Sequence, residues 1–215
     1  MDKIKNWLIK FITFLGICHL TCIHPIDYQL EARFEQAKQY QYHQHKYVHI
    51  DPNFSQDQQQ LIIEALNVWQ KKTYNYVSWT QEPWPENFWN GDLRSPKEIE
   101  TKICSNHLMI FYHTSEDSIV AGIDIQAGST ITGWAQTTNR ICGTEYFLLV
   151  PDRIFSDREF KQIAMHEFGH ILRLTHDNKG MISSEEKSIM SYRWMRALDG
   201  PTDYDLSWLL TINGL

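Results

Sequence analysis

A chain of 215 residues with 42% hydrophobic and 21% charged side chains can form one large domain or two small ones, which excludes disordered, collagen-like and multispan membrane classes. A formal net charge of −6 without a Lys/Arg-rich run excludes nucleic acid as the expected partner, because phosphate binding is chiefly electrostatic. The unusual features are ten histidines and eight tryptophans.

Lys3 and Lys5 precede an apolar run from Phe11 to Ile23, so residues 1–24 are expected to be a secretory signal. Lys10 interrupts the run and no small-residue cleavage site follows, which leaves a retained membrane anchor as the alternative, although a span usually needs about 20 apolar residues. Cys18 and Cys22 lie in this leader, and its removal leaves Cys104 and Cys142. Export favours a disulfide between those two, with a pair of buried thiols as the alternative; neither has a metal-binding spacing.

Residues 25–46 are rich in Gln, Tyr and His and contain little that could build a core, so they are expected to be a linker or pro-segment. His43, His45 and His49 fall there and just beyond, as surface positions. Organised structure is expected over 47–215. The run KYVHIDP predicts a strand. Ser55 and Gln58 form a capping box ahead of Leu61, Ile62, Ala65, Leu66 and Trp69, whose spacing predicts a helix with one buried face. YNYVSWT alternates like a strand, and residues 81–106 are expected to be a long surface loop with Trp84 and Trp89 exposed. HLMIFYHT reads as an interior strand, followed by a Gly-punctuated segment and then the strand EYFLLVPDRI.

A second helix is signalled more sharply. Ser156 and Glu159 form a capping box, Phe155 and Phe160 a hydrophobic staple, and the helix is expected to start at Asp157. Phe160, Ile163, Ala164, Phe168, Ile171 and Leu172 give it an apolar stripe, while His166 and His170 share a different face. Strands alternating with helices predict an α/β fold.

The segment HEFGHILRLTH carries the chemistry. His166 and His170 are one helical turn apart, so their rings can converge on one point. Zinc takes nitrogen ligands at about 2.0–2.1 Å in a tetrahedron, and His176 beyond the helix end supplies a third, leaving one position open. Glu167 lies about 100° around the helix from His166, beside the metal and placed to take a proton from metal-activated water.

These residues resemble the metzincin metallopeptidases, whose motif is HExxHxxGxxH followed by a methionine turn. SIMSYRW supplies that turn, with Met190 fourteen residues after His176 and Tyr192 two residues later. The resemblance to matrixin, serralysin and astacin catalytic domains implies a zincin-like α/β fold: a twisted, mostly parallel mixed sheet, two long helices, a C-terminal helix and two lobes flanking a zinc cleft. It implies a secreted zinc endopeptidase in which His166, His170 and His176 hold Zn²⁺ and Glu167 is the general base. Met190 would form an apolar floor, and Tyr192 would ligate zinc or steady the transition state. GWAQTT resembles the edge strand that runs antiparallel to substrate, with a plain strand and core Trp134 as the alternative. RWMRAL resembles the wall of the specificity pocket, with Trp194 as a lining or core residue. The expected partners are a protein or peptide substrate, with no nucleic acid and no membrane association after leader removal, and the expected state is a monomer.

One position departs from the motif: Arg173 occupies the place of its glycine. A left-handed bend there costs a non-glycine residue roughly 1–2 kcal/mol. The expectation is a terminated helix with the Arg173 side chain turned outward, toward Asp177, which is also the fallback third ligand. The rival reading is a zinc-stabilised binding protein that has lost catalysis.

Overall fold

The computed structural model describes residues 25–39, 44–85, 106–136, 145–176 and 187–214. The leader, Trp89, Cys104, Cys142 and Asp177 lie outside the described residues, so the signal, the disulfide and the fallback ligand do too.

Five strands form one sheet in the order β2-β1-β3-β5-β4. They are β1 (Gln44–Ile50), β2 (Val77–Gln81), β3 (His107–Tyr112), β4 (Gly133–Gln136) and β5 (Glu145–Leu149). β1, β2, β3 and β5 are parallel, and β4 runs antiparallel on the edge of β5. Five α-helices accompany them among the described residues: α1 (Pro25–Gln39), α2 (Gln56–Lys72), α3 (Ser118–Ala127), α4 (Asp157–Ile171) and α5 (Asp203–Ile212). The mixed, mostly parallel sheet with helices is the predicted zincin-like architecture.

β3 and β5 are apolar along nearly their whole length because both faces of the sheet are covered. Leu108, Ile110, Phe147 and Leu149 face a large core shared with α2 and α4. Met109, Phe111, Leu148 and Val150 face a smaller one built with Val120 and Ile123 of α3. Alternate side chains of one strand thus enter different cores, as the period of two requires.

α2 begins with the expected capping box: the Gln58 backbone N–H donates to Ser55 Oγ, and the Ser55 N–H donates to Gln58 Oε1. Ile62, Ala65, Leu66 and Trp69 are its buried face. Trp69 Nε1 donates to the Met165 carbonyl at 2.9 Å, tying α2 directly to α4.

Five local expectations need correction. His49, expected at the surface, is buried on β1, with Nδ1 bonded to the Pro83 carbonyl and Nε2 to His107. The stretch before Tyr47 is not coreless: α1 buries Leu30, Phe34 and Ala37, and β1 starts at Gln44. Three apolar side chains suffice because they recur at helical spacing and meet α5 and the rings of Tyr74 and Tyr76. The Gly-punctuated segment contains α3, ended by Gly128 in the left-handed region at φ 65°. Trp84 is not a solvent residue; its ring packs edge-on against Phe111. Finally, Phe155 forms no staple and is 89% exposed. Phe160 packs against Phe54 instead, and Glu159 accepts from the Phe155 N–H while pairing with Arg196.

Candidate metal centre

α4 carries the site because its start and end are both fixed. Ser156 is the N-cap, accepting from the Glu159 N–H, and the helix starts at Asp157 as predicted. At the other end, the Arg173 N–H donates to the His170 carbonyl and the Leu174 N–H to the Gly169 carbonyl, the paired bonds of a Schellman motif. Arg173 sits at its left-handed position with φ 76°. The chain therefore bends where the motif glycine would bend it, and the sheet and helix contacts hold arginine in a conformation costing roughly 1–2 kcal/mol. The Arg173 guanidinium reaches Glu145 Oε1 on β5 at 3.2 Å.

The bend delivers His176 to the two helix histidines. Its Nε2 lies 3.2 Å from His166 Nε2 and 3.1 Å from His170 Nε2. The other nitrogens of the helix pair are committed: His166 Nδ1 donates to the Ile189 carbonyl and His170 Nδ1 to the Leu174 carbonyl, each at 2.8 Å. Those bonds fix both rings as Nδ1–H tautomers, so their Nε2 atoms present bare lone pairs. His176 Nε2 lies within reach of both lone pairs, so a proton on it or a shared cation would satisfy them. Ligands about 2.05 Å from zinc in a tetrahedron would be about 3.3–3.4 Å apart, close to the spacing here. The donor set therefore fits zinc, with three imidazoles and one open position.

Burial keeps these rings uncharged, ready to ligate. It depresses His166 to about 3, with His170 and His176 lowering it further, and His176 to about 4, with His170 lowering it further; it is also the main cause of the lowering of His170. Glu167, only 5% exposed, is driven the other way, to about 8, by burial. A dication beside it would reverse that shift by favouring the carboxylate.

Two glycines make the site possible by having no side chain. A Cβ on Gly133 would lie 2.7 Å from Glu167 Oε1 and 2.8 Å from Ile163 Cγ2, so β4 passes directly over the carboxyl group. A Cβ on Gly169 would lie 2.4 Å from Met190 Sδ. The sulfur of a fully buried Met190 thus presses on the helix backbone between His166 and His170, where the predicted floor belongs.

The methionine turn is anchored by a residue that sequence reasoning missed. Asp205 of α5 accepts from Ser188 Oγ at 2.5 Å, the Ile189 N–H at 3.0 Å and the Thr202 N–H at 2.8 Å. Ser188 Oγ in turn accepts from the Met190 N–H. Asp205 therefore holds the segment whose Ile189 carbonyl fixes the tautomer of His166. Its only sequence signal was the Thr202–Asp205 cap spacing, which gives no hint of the partners sixteen and seventeen residues upstream. Gln162 does similar work after the turn, donating to the Arg196 and Leu198 carbonyls.

Tyr192 is brought to the site but on the outer side of His176: its hydroxyl is 3.4 Å from Nδ1, and the residue is 63% exposed. Trp134 both lines the cleft and packs against Tyr146. Trp194 is flanked by Lys187 and Arg193, and the side chains of RWMRAL that line the cleft are those of Met195 and Arg196. The cleft encloses about 920 Å³, with β4 along one side and α4 beneath. None of the described side chains of α1 lines it.

No protein-family model matches the sequence, and no curated protein matches it. Among solved structures, the chain resembles the crystal structure of archaemetzincin from Methanopyrus kandleri, at 13% identity and a TM-score of 0.51, over 81% of this chain and 97% of that one. At that identity the likeness establishes the fold: this chain has a metzincin-like zincin fold, with a three-histidine metal site on its central helix and the bend that follows.

Proposed function

We propose that the protein is a secreted zinc-dependent endopeptidase in which Glu167 is the general base. The observation that carries this reading is the convergence of three imidazole nitrogens beside a buried carboxyl group, in a cleft bordered by the edge of β4, which no other strand pairs among the described residues. Zinc would supply a Lewis acid that polarises the scissile carbonyl and acidifies water.

The protein's own groups supply the rest. Glu167 takes the proton of the attacking water and passes it to the leaving nitrogen. The outer edge of β4 offers backbone groups to an extended peptide, which is how a free sheet edge binds a strand. Lying antiparallel to β4, such a peptide has its carbonyl near the triad and its C-terminal side toward Gly133. Tyr192 is assigned to the developing oxyanion, its hydroxyl moving from His176 Nδ1.

The deciding experiment is digestion of a mixed peptide library by the zinc-loaded protein, with and without a chelator. Cleavage that the chelator removes and added zinc restores is the expected result. A folded protein that holds one zinc and cleaves no peptide would instead support the binding-protein reading. That reading drew its motive from Arg173 and the tryptophan-rich loop; the triad is assembled with Arg173 in the bend, and most of the loop lies outside the described residues.

Secretion rests on the Lys3/Lys5 leader and its apolar run. Expressed in an exporting host, the protein should appear outside the cytoplasm with its mature N-terminus at or beyond residue 22. Recovery of the intact leader in the membrane fraction would favour the anchor.

A further inference from the structure

The wall of the cleft above Glu167 is held by two charged residues that do not themselves line it. Ile131, Thr132 and Gly133 lead into β4 and line the cleft, and Gly133 covers the Glu167 carboxyl group. Pairing with β5 runs out at this point: the Val150 N–H donates to the Thr132 carbonyl at 3.0 Å, just beyond the Gly133–Leu149 pair. Among the described residues no strand receives the backbone of Ile131, and Asp124 and Arg153 take that place. The Ile131 N–H donates to Asp124 Oδ1 at 2.8 Å, and Arg153 Nη1 donates to the Ile131 carbonyl at 2.9 Å.

The two side chains are also locked to each other. Arg153 donates from Nη1 to Asp124 Oδ1 at 3.1 Å and from Nη2 to Oδ2 at 2.8 Å, the parallel fork that gives a charged pair its direction. At 17% and 22% exposed, both are largely shielded from water. The backbone of Asp124 is fixed as well, because its carbonyl accepts from the Gly128 and Ser129 N–H groups where α3 ends. The clamp therefore joins α3, the turn after β5 and the entry to β4. It grips the chain about 7 Å along the strand from Gly133. A peptide lying antiparallel to β4 passes Ile131 with the second and third residues beyond its scissile bond.

We propose that Asp124 and Arg153 are positioning residues, which fix the backbone at Ile131 so that the cleft grips the C-terminal side of a bound peptide. This rests on the peptidase reading above for the direction of the peptide. The test uses the full zinc-loaded chain and peptides capped at the N-terminus with a hydroxamate, which chelates zinc and so places the residues that follow on the C-terminal side of the cleft. One peptide carries a single residue after the cap and the other carries four. In the wild type the longer peptide should bind at least tenfold more tightly. Arg153→Met should remove about tenfold of that gain, the scale of one charge-assisted hydrogen bond. Asp124→Asn, whose Oδ1 can still accept from Ile131, should retain part of it, and Asp124→Ala none. Each gain is a ratio within one variant, so a uniform loss of folded or zinc-loaded protein cancels.

A merely structural pair would weaken both peptides alike, and that result overturns the proposal. So does a wild type that gains nothing from the longer peptide, or a gain that survives both Arg153→Met and Asp124→Ala. None of these touches the peptidase reading, which stands or falls on library cleavage. Conversely, a gain lost in Arg153→Met by a protein that cleaves no library peptide upholds the clamp and sinks the peptidase reading alone.

Discussion

Glu167→Gln should reduce kcat by about 10²–10⁴-fold, the usual contribution of a positioned general base, while zinc remains bound with near-unchanged affinity. The amide has the size of the acid and fits beneath Gly133, so the three histidine nitrogens need not move. The same substitution should stabilise the metal-free protein at alkaline pH. Glu167 has its folded-state value raised by burial from the ordinary 4.5 to about 8. A group raised in this way contributes its full stability below the unfolded value, and that contribution is lost as pH rises through the folded one. At pH 9 the metal-free wild type must therefore hold a buried carboxylate, and Glu167→Gln removes that cost, on the order of 5 kcal/mol. Thermal melts of the chelated proteins at pH 5 and pH 9 check this, with the advantage of the variant expected to grow with pH. Full activity in the variant would end the general-base assignment; equal melts at both values would show that the carboxyl group is better solvated than its 5% exposure implies.

The opposed effects on activity and stability are what a site looks like when chemistry, not packing, explains a buried acid. Much of that site was legible in the sequence because its geometry is local. Four-residue spacing on a capped helix puts His166 and His170 together, and a helix stop before His176 turns it back toward them. Arg173 was legible in the same way, as a left-handed residue closing the helix. Its partner was not, because Glu145 is separated from it by 28 residues and reaches it only through the placement of β5 beside α4. Asp205 was missed for the same reason: a buried carboxylate that accepts from Ser188, Ile189 and Thr202 looks like an ordinary helix cap until α5 is docked. α1 was missed because three buried apolar positions among fifteen residues give a weak periodic signal, and their burial depends on α5. What sequence pattern conveys well is the direction of side chains along one element; what it conveys poorly is which distant element receives them.

Gly169→Ala tests whether the metal centre depends on one such reception. In an exposed helix interior this change is favourable by about 1 kcal/mol, since glycine gives up more backbone freedom than alanine. Here the new methyl would lie 2.4 Å from Met190 Sδ, 3.2 Å from Met190 Cε and 3.3 Å from Trp69 Cζ2. A methionine can usually bend out of the way. Met190 is fully buried, however, and its turn is tied to Asp205 through Ser188 and Ile189, so the strain passes along that segment. The expected outcome is a loss of about 1–3 kcal/mol in stability, the usual cost of overpacking a core. Displacing Ile189 would also loosen the carbonyl that holds His166 Nδ1, lowering zinc affinity by about 10–100-fold, as losing a ligand's outer hydrogen bond typically does. Calorimetric melts and competition with a zinc indicator measure the two quantities separately. Trimming the clashing side chain with Met190→Ala in the Gly169→Ala background should recover zinc affinity even though it opens a cavity, because it relieves the push on the turn. A Gly169→Ala protein that is more stable than wild type and binds zinc equally well would mean that Met190 is only a core side chain and that the histidines are held by α4 alone.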